Sequence, residues 1–292
     1  MTDPWARPPQ QPDPSQPVFP QNTPQGTGPG VPPGPPTDPA EASLPAKLKK
    51  MLSDPLSVVL VVVIVVALVF AGVLATELYA RNRGDSVVAG VVECVVQDDA
   101  EASFGVFPPF VVQHLSGHYT NIRIQTAGNQ VRDAKGMKVE LDINDVRLED
   151  TADSSGSVGS LVANITWSAE GIKQTIQGAV PLVGSFVNGV TTNPGDGTVE
   201  LEGALGSITT RPQVVDGGIV LQVQQVTGLG FTLPRELVQP ALDAFTAELT
   251  QNYPMDIKAD SVEVTDSGVV SRFSTSNASI PKQTDDPCFS GL

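Results

Sequence analysis

GMKVELDINDVRL, residues 136–148, is the run whose reading decides the fold. Met137, Val139, Leu141 and Ile143 alternate with Lys138, Glu140 and Asp142. A period of two marks a strand with one apolar face and one wet face. The alternation slips at Asn144-Asp145 and resumes at Val146 and Leu148, which predicts a bulge or bend there. Moving outward, Ile122 and Ile124 alternate with Arg123 and Gln125 on the N-terminal side. On the other side a Ser/Gly/Asp loop is expected over 150–160, and then Leu161, Ala163, Ile165 and Trp167 fall in phase. Three further strands are expected at 198–205, 207–215 and 218–226, the last two joined by Asp216-Gly217, a strong hairpin signal. Strands at 257–264 and 268–276 pair across Asp266-Ser267-Gly268. Helical pattern is sparse. One or two turns fit 110–115 after Phe107-Pro-Pro, and a second start lies at 168–172. A late helix begins at Pro234, carries Leu237, Leu242, Phe245 and Leu249 on its apolar face, and ends near Tyr253-Pro254. Residues 178–197 show no clear period. The expected fold is α+β, a long, strongly curved antiparallel sheet with a few helices packed in its hollow.

Further out lies PLSVVLVVVIVVALVFAGVLAT, residues 55–76, twenty-two residues without a charge. As a helix it reaches about 33 Å, enough for a hydrocarbon core of about 30 Å. Its valines would suit a strand in water. In lipid a lone strand leaves its backbone groups unpaired, so the single-pass solution is a helix. The run exceeds the 7–15 residues of a signal-peptide core and more than forty residues precede it, so it reads as a retained anchor. Leu78 to Val96 continues as a helix, with Val88, Val91, Val92 and Val95 on one face.

These readings divide the chain into five parts. Residues 1–45 hold fifteen of the twenty-six prolines and only five charged side chains, which predicts a disordered, partly polyproline II tail. A basic juxtamembrane segment, 46–54, leads into the transmembrane helix, 55–78. An extracytoplasmic domain, 79–287, follows, and 288–292 carries the second cysteine. Lys47, Lys49 and Lys50 precede the span and Arg81 and Arg83 follow it, a small excess that puts the N-terminus in the cytoplasm. The cysteines agree. Cys94 and Cys288 bracket the domain, and outside the cytoplasm they are expected to bridge.

Net charge is −15, and thirteen Lys and Arg face twenty-six Asp and Glu after residue 78. Such a surface argues against nucleic acid, whose binding rests on neutralising phosphates. Catalytic constellations are scarce. His114 and His118 stand four apart in HLSGH, but Gly117 intervenes and the Glu of HExxH is absent, so no metal site is expected. There is no G-x-S-x-G, no P-loop and no GxGxxG after a strand. Acid pairs such as Asp142 and Asp145 lie on polar faces or in turns, where solvation explains them. The reading is a binding protein, not an enzyme, without a cofactor. Periodicity leaves open whether the apolar sheet face closes into a dry core or keeps a tunnel.

The order of segments after the span resembles a known family. ELYARNRGDS (77–86) is followed by a helix with Cys94, then FGVFPPFVVQHLSGHY (104–119), GMKVELDINDVRL (136–148) and ANITWSAEGI (163–172). LPRELV (233–238) and YPMDIKADSVEVTDSG (253–268) complete the series. Over about 77–281 the chain resembles the actinobacterial LmeA-type family of envelope phospholipid-binding proteins, linked to lipomannan elongation and maintenance. That resemblance implies a periplasmic domain taking phospholipid, of phosphatidylinositol type, into an apolar cavity like that of tubular lipid-binding proteins. It brings no catalytic residues. The lipid-lining candidates it implies are Phe104, Phe107, Phe110 and Leu115; Met137, Val139, Leu141 and Ile143; Ile165 and Trp167; and Leu237, Leu242, Phe245 and Leu249. With the domain so acidic, a headgroup would rely on Arg123, Lys138, Arg147 or Arg235, or on backbone amides. The expected function is to hold or pass phospholipid beside the membrane. The alternative is a non-lipid envelope scaffold whose Pro-rich tail recruits a cytoplasmic partner.

Overall fold

The computed structural model describes residues 54–179, 187–240, 242–244, 254–282 and 287–289. The Pro-rich tail and half of the expected late helix (241 and 245–253) lie outside the described residues. Helix α1 (Pro55–Val96) is continuous over 42 residues, so the apolar run and the valine face beyond it form one rod of about 63 Å. Its first half is apolar and has no buried residue, with Leu56, Leu60, Leu68 and Phe70 all exposed. That surface is stable in hydrocarbon and not in water. By length and composition this helix is able to cross a membrane. From Glu77 the helix changes character. Glu77, Ala80, Arg81, Gly84, Asp85, Val88, Val91, Val92 and Val95 share a half-buried stripe at helical spacing, and the domain is built against it.

After α1 come β1 (Ala100–Phe104), α2 (Phe110–Ser116), β2 (His118–Thr126), β3 (Gln130–Val131), β4 (Ala134–Lys135), β5 (Met137–Arg147) and β6 (Ser154–Ser168). Then follow α3 (Ala169–Ala179), β7 (Val187–Asn193), β8 (Thr198–Gly203), β9 (Gly206–Val215), β10 (Gly218–Gly228), β11 (Phe231–Leu233), β12 (Lys258–Thr265) and β13 (Gly268–Pro281). The α+β class with a large antiparallel sheet and few helices is the one expected. Its strands divide between two main sheets. One has the order β1-β2-β5-β6-β13-β12, the other β11-β10-β9-β8-β7. Strand β6 begins at Ser154, inside the expected 150–160 loop, because its Ser/Gly backbone still pairs with β5 and with Ser276 to Pro281 of β13.

The slip expected at Asn144-Asp145 is one part of a crease that crosses the first sheet. Asp145 has φ +54° and Asn277 has φ +52°, and the flanking pairs put both opposite Gly159. A Cβ on Gly159 would stand 2.7 Å from the Cβ of Asp145, so only glycine lets the three strands close there. On one side of the crease Ile122, Ile143 and Leu161 face inward; beyond it Tyr119, Val146 and Val158 do. Each strand skips one residue at the same line. The apolar side chains therefore stay on one side while the sheet turns.

The core collects Phe104, Phe110, Tyr119, Val146, Val158, Leu161, Ala163, Ala259 and Phe273, with Ala80 and Val88 of α1 against it. The second sheet meets the first at β12. Gly217 in the β9–β10 turn accepts the Ala259 N–H at 2.7 Å, and Thr192 Oγ1 donates to Asp266 O at 3.1 Å. Hairpin tips thus cover what would otherwise be an open edge strand. Cys94, near the end of α1, is bonded to Cys288 with Cα atoms 5.7 Å apart.

Candidate functional site

The apolar face of the first sheet follows from register. Met137 lies opposite Trp167, Val139 opposite Ile165, Leu141 opposite Ala163 and Ile143 opposite Leu161. On the other flank Ile124 meets Leu141 and Ile122 meets Ile143. Directly opposed residues project to the same face, so six of the candidates (Met137, Val139, Leu141, Ile143, Ile165 and Trp167) form one apolar strip along β5 and β6. All six are half-buried, whereas Leu161 and Ala163 beside them are buried. Trp167 is oriented by its indole N–H, which donates to Lys135 O at 2.8 Å.

The aromatic candidates split. Phe104 and Phe110 are buried and packed edge to face at 4.9 Å, with Tyr119 5.1 Å from Phe104. Phe107 and Leu115 are 84% and 82% exposed. Leu242 lies in a short helical stretch beside the second sheet, where Gln239 bonds Val223 N at 2.8 Å and Leu221 O at 3.0 Å. Leu237 stands in the 3-10 turn Arg235–Leu237. Its side chain, like Phe245 and Leu249, lies outside the described residues.

The segment carrying Phe107 is held from two sides. Residue 109 is proline, so α2 has no side-chain cap of its own. The Glu77 carboxylate of α1 serves instead, accepting the N–H groups of Phe110 and Val111, and negative charge is favourable at that helix end. Arg81 donates to Phe104 O at 3.2 Å and Gly105 O at 2.7 Å, and Asp85 accepts Phe104 N–H at 3.0 Å. From the inner side comes Gln113, 1% exposed. Its amide donates to Pro108 O at 2.6 Å and Gly105 O at 3.1 Å, and its carbonyl oxygen accepts Thr120 N–H at 3.0 Å. In the sequence Gln113 is only a polar position between Val112 and Leu115, and nothing local marks it as buried.

Three of the four headgroup candidates are engaged with carboxylates. Arg123 pairs with Asp142 at 2.9 Å, Lys138 with Glu140 at 2.8 Å and Arg147 with Asp145 at 3.2 Å. Arg235 is exposed at the start of its turn. The histidines have separate partners, His114 facing the Tyr119 hydroxyl at 3.0 Å and His118 bonding Asp145 at 2.6 Å. The His118 bond, then Arg147, holds Asp145 below the usual carboxylate range. A groove of about 540 Å³ between β6, β12 and β13 is lined by Leu161 and Val162 together with polar residues such as Ser160, Lys258, Asp260 and Arg272.

A family profile described as LmeA-like phospholipid-binding matches residues 75–274. An uncharacterized protein of Mycobacterium bovis and uncharacterized proteins of two Mycobacterium tuberculosis strains are each 53% identical over 222 residues, 76% of this chain. The match covers 64% of those relatives' length. No solved structure was found to match. The matched region runs from the end of the apolar half of α1 through both sheets, and the chain belongs to the LmeA-like phospholipid-binding family.

Proposed function

We propose that this is a single-pass membrane protein whose N-terminus is cytoplasmic and whose domain, 79–287, holds phospholipid outside the cytoplasm. In this reading the acyl chains lie along Met137, Val139, Leu141, Ile143, Ile165 and Trp167, in an apolar cavity. One observation carries it: an in-register apolar strip that is only half-buried, in a chain of a phospholipid-binding family. Each buried CH₂ contributes about 0.8 kcal/mol, so two acyl chains supply ample affinity without a catalytic group. The natural ligand is a phosphatidylinositol-type lipid, and the role is to present or pass it in lipoglycan or envelope maintenance. Because Arg123, Lys138 and Arg147 are occupied by carboxylates, headgroup selection falls to Arg235 or backbone amides.

Native mass spectrometry of the full chain, released gently from membranes, tests this. A bound species with the mass of an intact phospholipid is expected, enriched in phosphatidylinositol over its share of the membrane. Val139→Asp with Ile165→Asp should abolish it. A lipid-free chain that also takes up no phosphatidylinositol from vesicles would overturn the reading and favour a scaffold.

A further inference from the structure

The segment Phe104–Gly117 is fourteen residues without an Asp, Glu, Lys or Arg, in a domain otherwise strongly acidic. Val106, Phe107 and Leu115 are 79%, 84% and 82% exposed, and Val112 and Leu148 are half in solvent as well. Leu148 belongs to the same patch, since its N–H bonds Gly117 O at 2.8 Å. A loop displaying large apolar side chains to water would ordinarily collapse onto its own domain. This one is held outward by Gln113 from inside and by Glu77, Arg81 and Asp85 on α1. Those helix residues also fix where the patch lies. Glu77 is the first charged residue after the apolar run that ends at Thr76, and its carboxylate holds the N–H groups of Phe110 and Val111. The exposed side chains therefore stand level with the point where α1 leaves the hydrocarbon. Tyr79, exposed just beyond Glu77, is the residue type enriched at that boundary.

We propose that Val106, Phe107, Val112 and Leu115 form a second membrane contact, seated in the headgroup–acyl boundary of the leaflet from which α1 emerges. The occupant of the patch is a lipid surface. Insertion is driven by apolar area, since the acidic domain offers no polybasic attraction to anionic lipid. With α1 and the loop both engaged, the domain keeps one fixed attitude to the bilayer. This rests on the membrane span of the proposed function but not on lipid occupancy of the sheet.

The test is a depth measurement on the full chain in phospholipid nanodiscs. Single cysteines are introduced beside the intact Cys94–Cys288 bridge, labelled with a nitroxide, and compared for collisions with oxygen and with a water-soluble nickel chelate. Phe107→Cys and Leu115→Cys replace exposed side chains, so either serves if the other perturbs the loop. Asp133→Cys is the aqueous control: its neighbour Arg132 bonds Val96 O, about 28 Å along α1 from Glu77. Val66→Cys marks the span. The proposal requires position 107 or 115 to collide preferentially with oxygen, as position 66 does, while 133 favours the chelate. Chelate access at both 107 and 115 equal to that at 133, with 66 still in hydrocarbon, overturns the proposal and leaves the anchor standing. Chelate access at 66 overturns both. Low collision rates with both reagents at 107 and 115 would mean that protein, such as a second copy, covers the patch, which also overturns it.

Discussion

Gln113 is the residue with most at stake in the clamped loop. Its side chain satisfies two carbonyls and one N–H in a position 1% exposed. Gln113→Leu keeps the volume and strands Pro108 O and Thr120 N–H, while Gly105 O keeps its Arg81 bond, so it should destabilise the domain by about 2–3 kcal/mol. Denaturant midpoints of the detergent-solubilised chain check this, and an unchanged midpoint would mean the loop is held by α1 alone. Among the described residues three carboxylates are held below their ordinary values, Glu170 chiefly by its Lys173 hydrogen bond, and two aspartates join it. Burial raises the pKa of Asp98, but hydrogen bonds from the Asn129 side chain and the Gln130, Asn129 and Asp99 backbone outweigh it and leave it lowered. Asp145 is lowered chiefly by its His118 bond. A depressed aspartate contributes stability above its ordinary value of 3.8, and that contribution is lost as pH falls through the native value. Stability should therefore be flat with respect to these groups at neutral pH and drop below about pH 4. Asp98→Asn, less stable at pH 7, should show a shallower acid loss, read from denaturation midpoints between pH 7 and pH 3.

Among the elements, α1 and the crease decide most. Gly84 faces the aromatic core, and a Cβ there would stand 2.4 Å from Phe110 Cζ and 3.3 Å from Phe104 Cε2. Alanine is the better helix former by about 1 kcal/mol, but moving a ring in a packed core costs about 1–3 kcal/mol. Gly84→Ala should thus be net destabilising by about 1 kcal/mol, measured by thermal melting; a stabilised variant would show that α1 packs loosely. The disulfide joins residues 194 apart, worth up to about 5 kcal/mol in the chain-entropy model. Cys94→Ser with Cys288→Ser should lower stability by about 2–5 kcal/mol by the same measure. Much of this scale was legible in the chain. The alternation at 137–143, the Asp216-Gly217 turn and the valine face of α1 name their structures because local period and turn chemistry do so. The crease was half legible. Asn144-Asp145 breaks phase, but that Gly159 and Asn277 lie on the same line depends on register across strands far apart in sequence. Partition into two sheets was not legible, since a period of two reports which face is buried and not which strand is the neighbour. Phe104 and Phe110 read as pocket residues for a related reason. Packing against Tyr119 of β2 and against α1, elements that local pattern does not bring together, makes them core.

For the whole molecule, the arrangement couples an apolar rod to a sheet with one half-buried apolar face through a clamp at Glu77, Arg81 and Asp85. The clamp fixes residues 104–111 against α1 just past its apolar run, and in the proposed reading this holds the domain beside the membrane. Of the candidate site, the apolar faces of β5 and β6 were each legible from alternation, while their pairing into one strip rests on register and their choice as lipid-lining on the family resemblance. The headgroup partners were not, because whether Arg123, Lys138 and Arg147 are free is settled by cross-strand and neighbouring carboxylates. The most direct test of the central claim uses a phospholipid bearing a photoactivatable group on its acyl chain, incorporated in vesicles with the full chain. After irradiation and digestion, label is expected in two regions besides α1, within Met137–Ile143 and within Leu161–Trp167, and should be displaced by excess unlabelled phosphatidylinositol. Label confined to Pro55–Thr76 and the 106–115 loop, with both strands unmodified, would contradict the account and leave a membrane-docked domain that does not hold lipid.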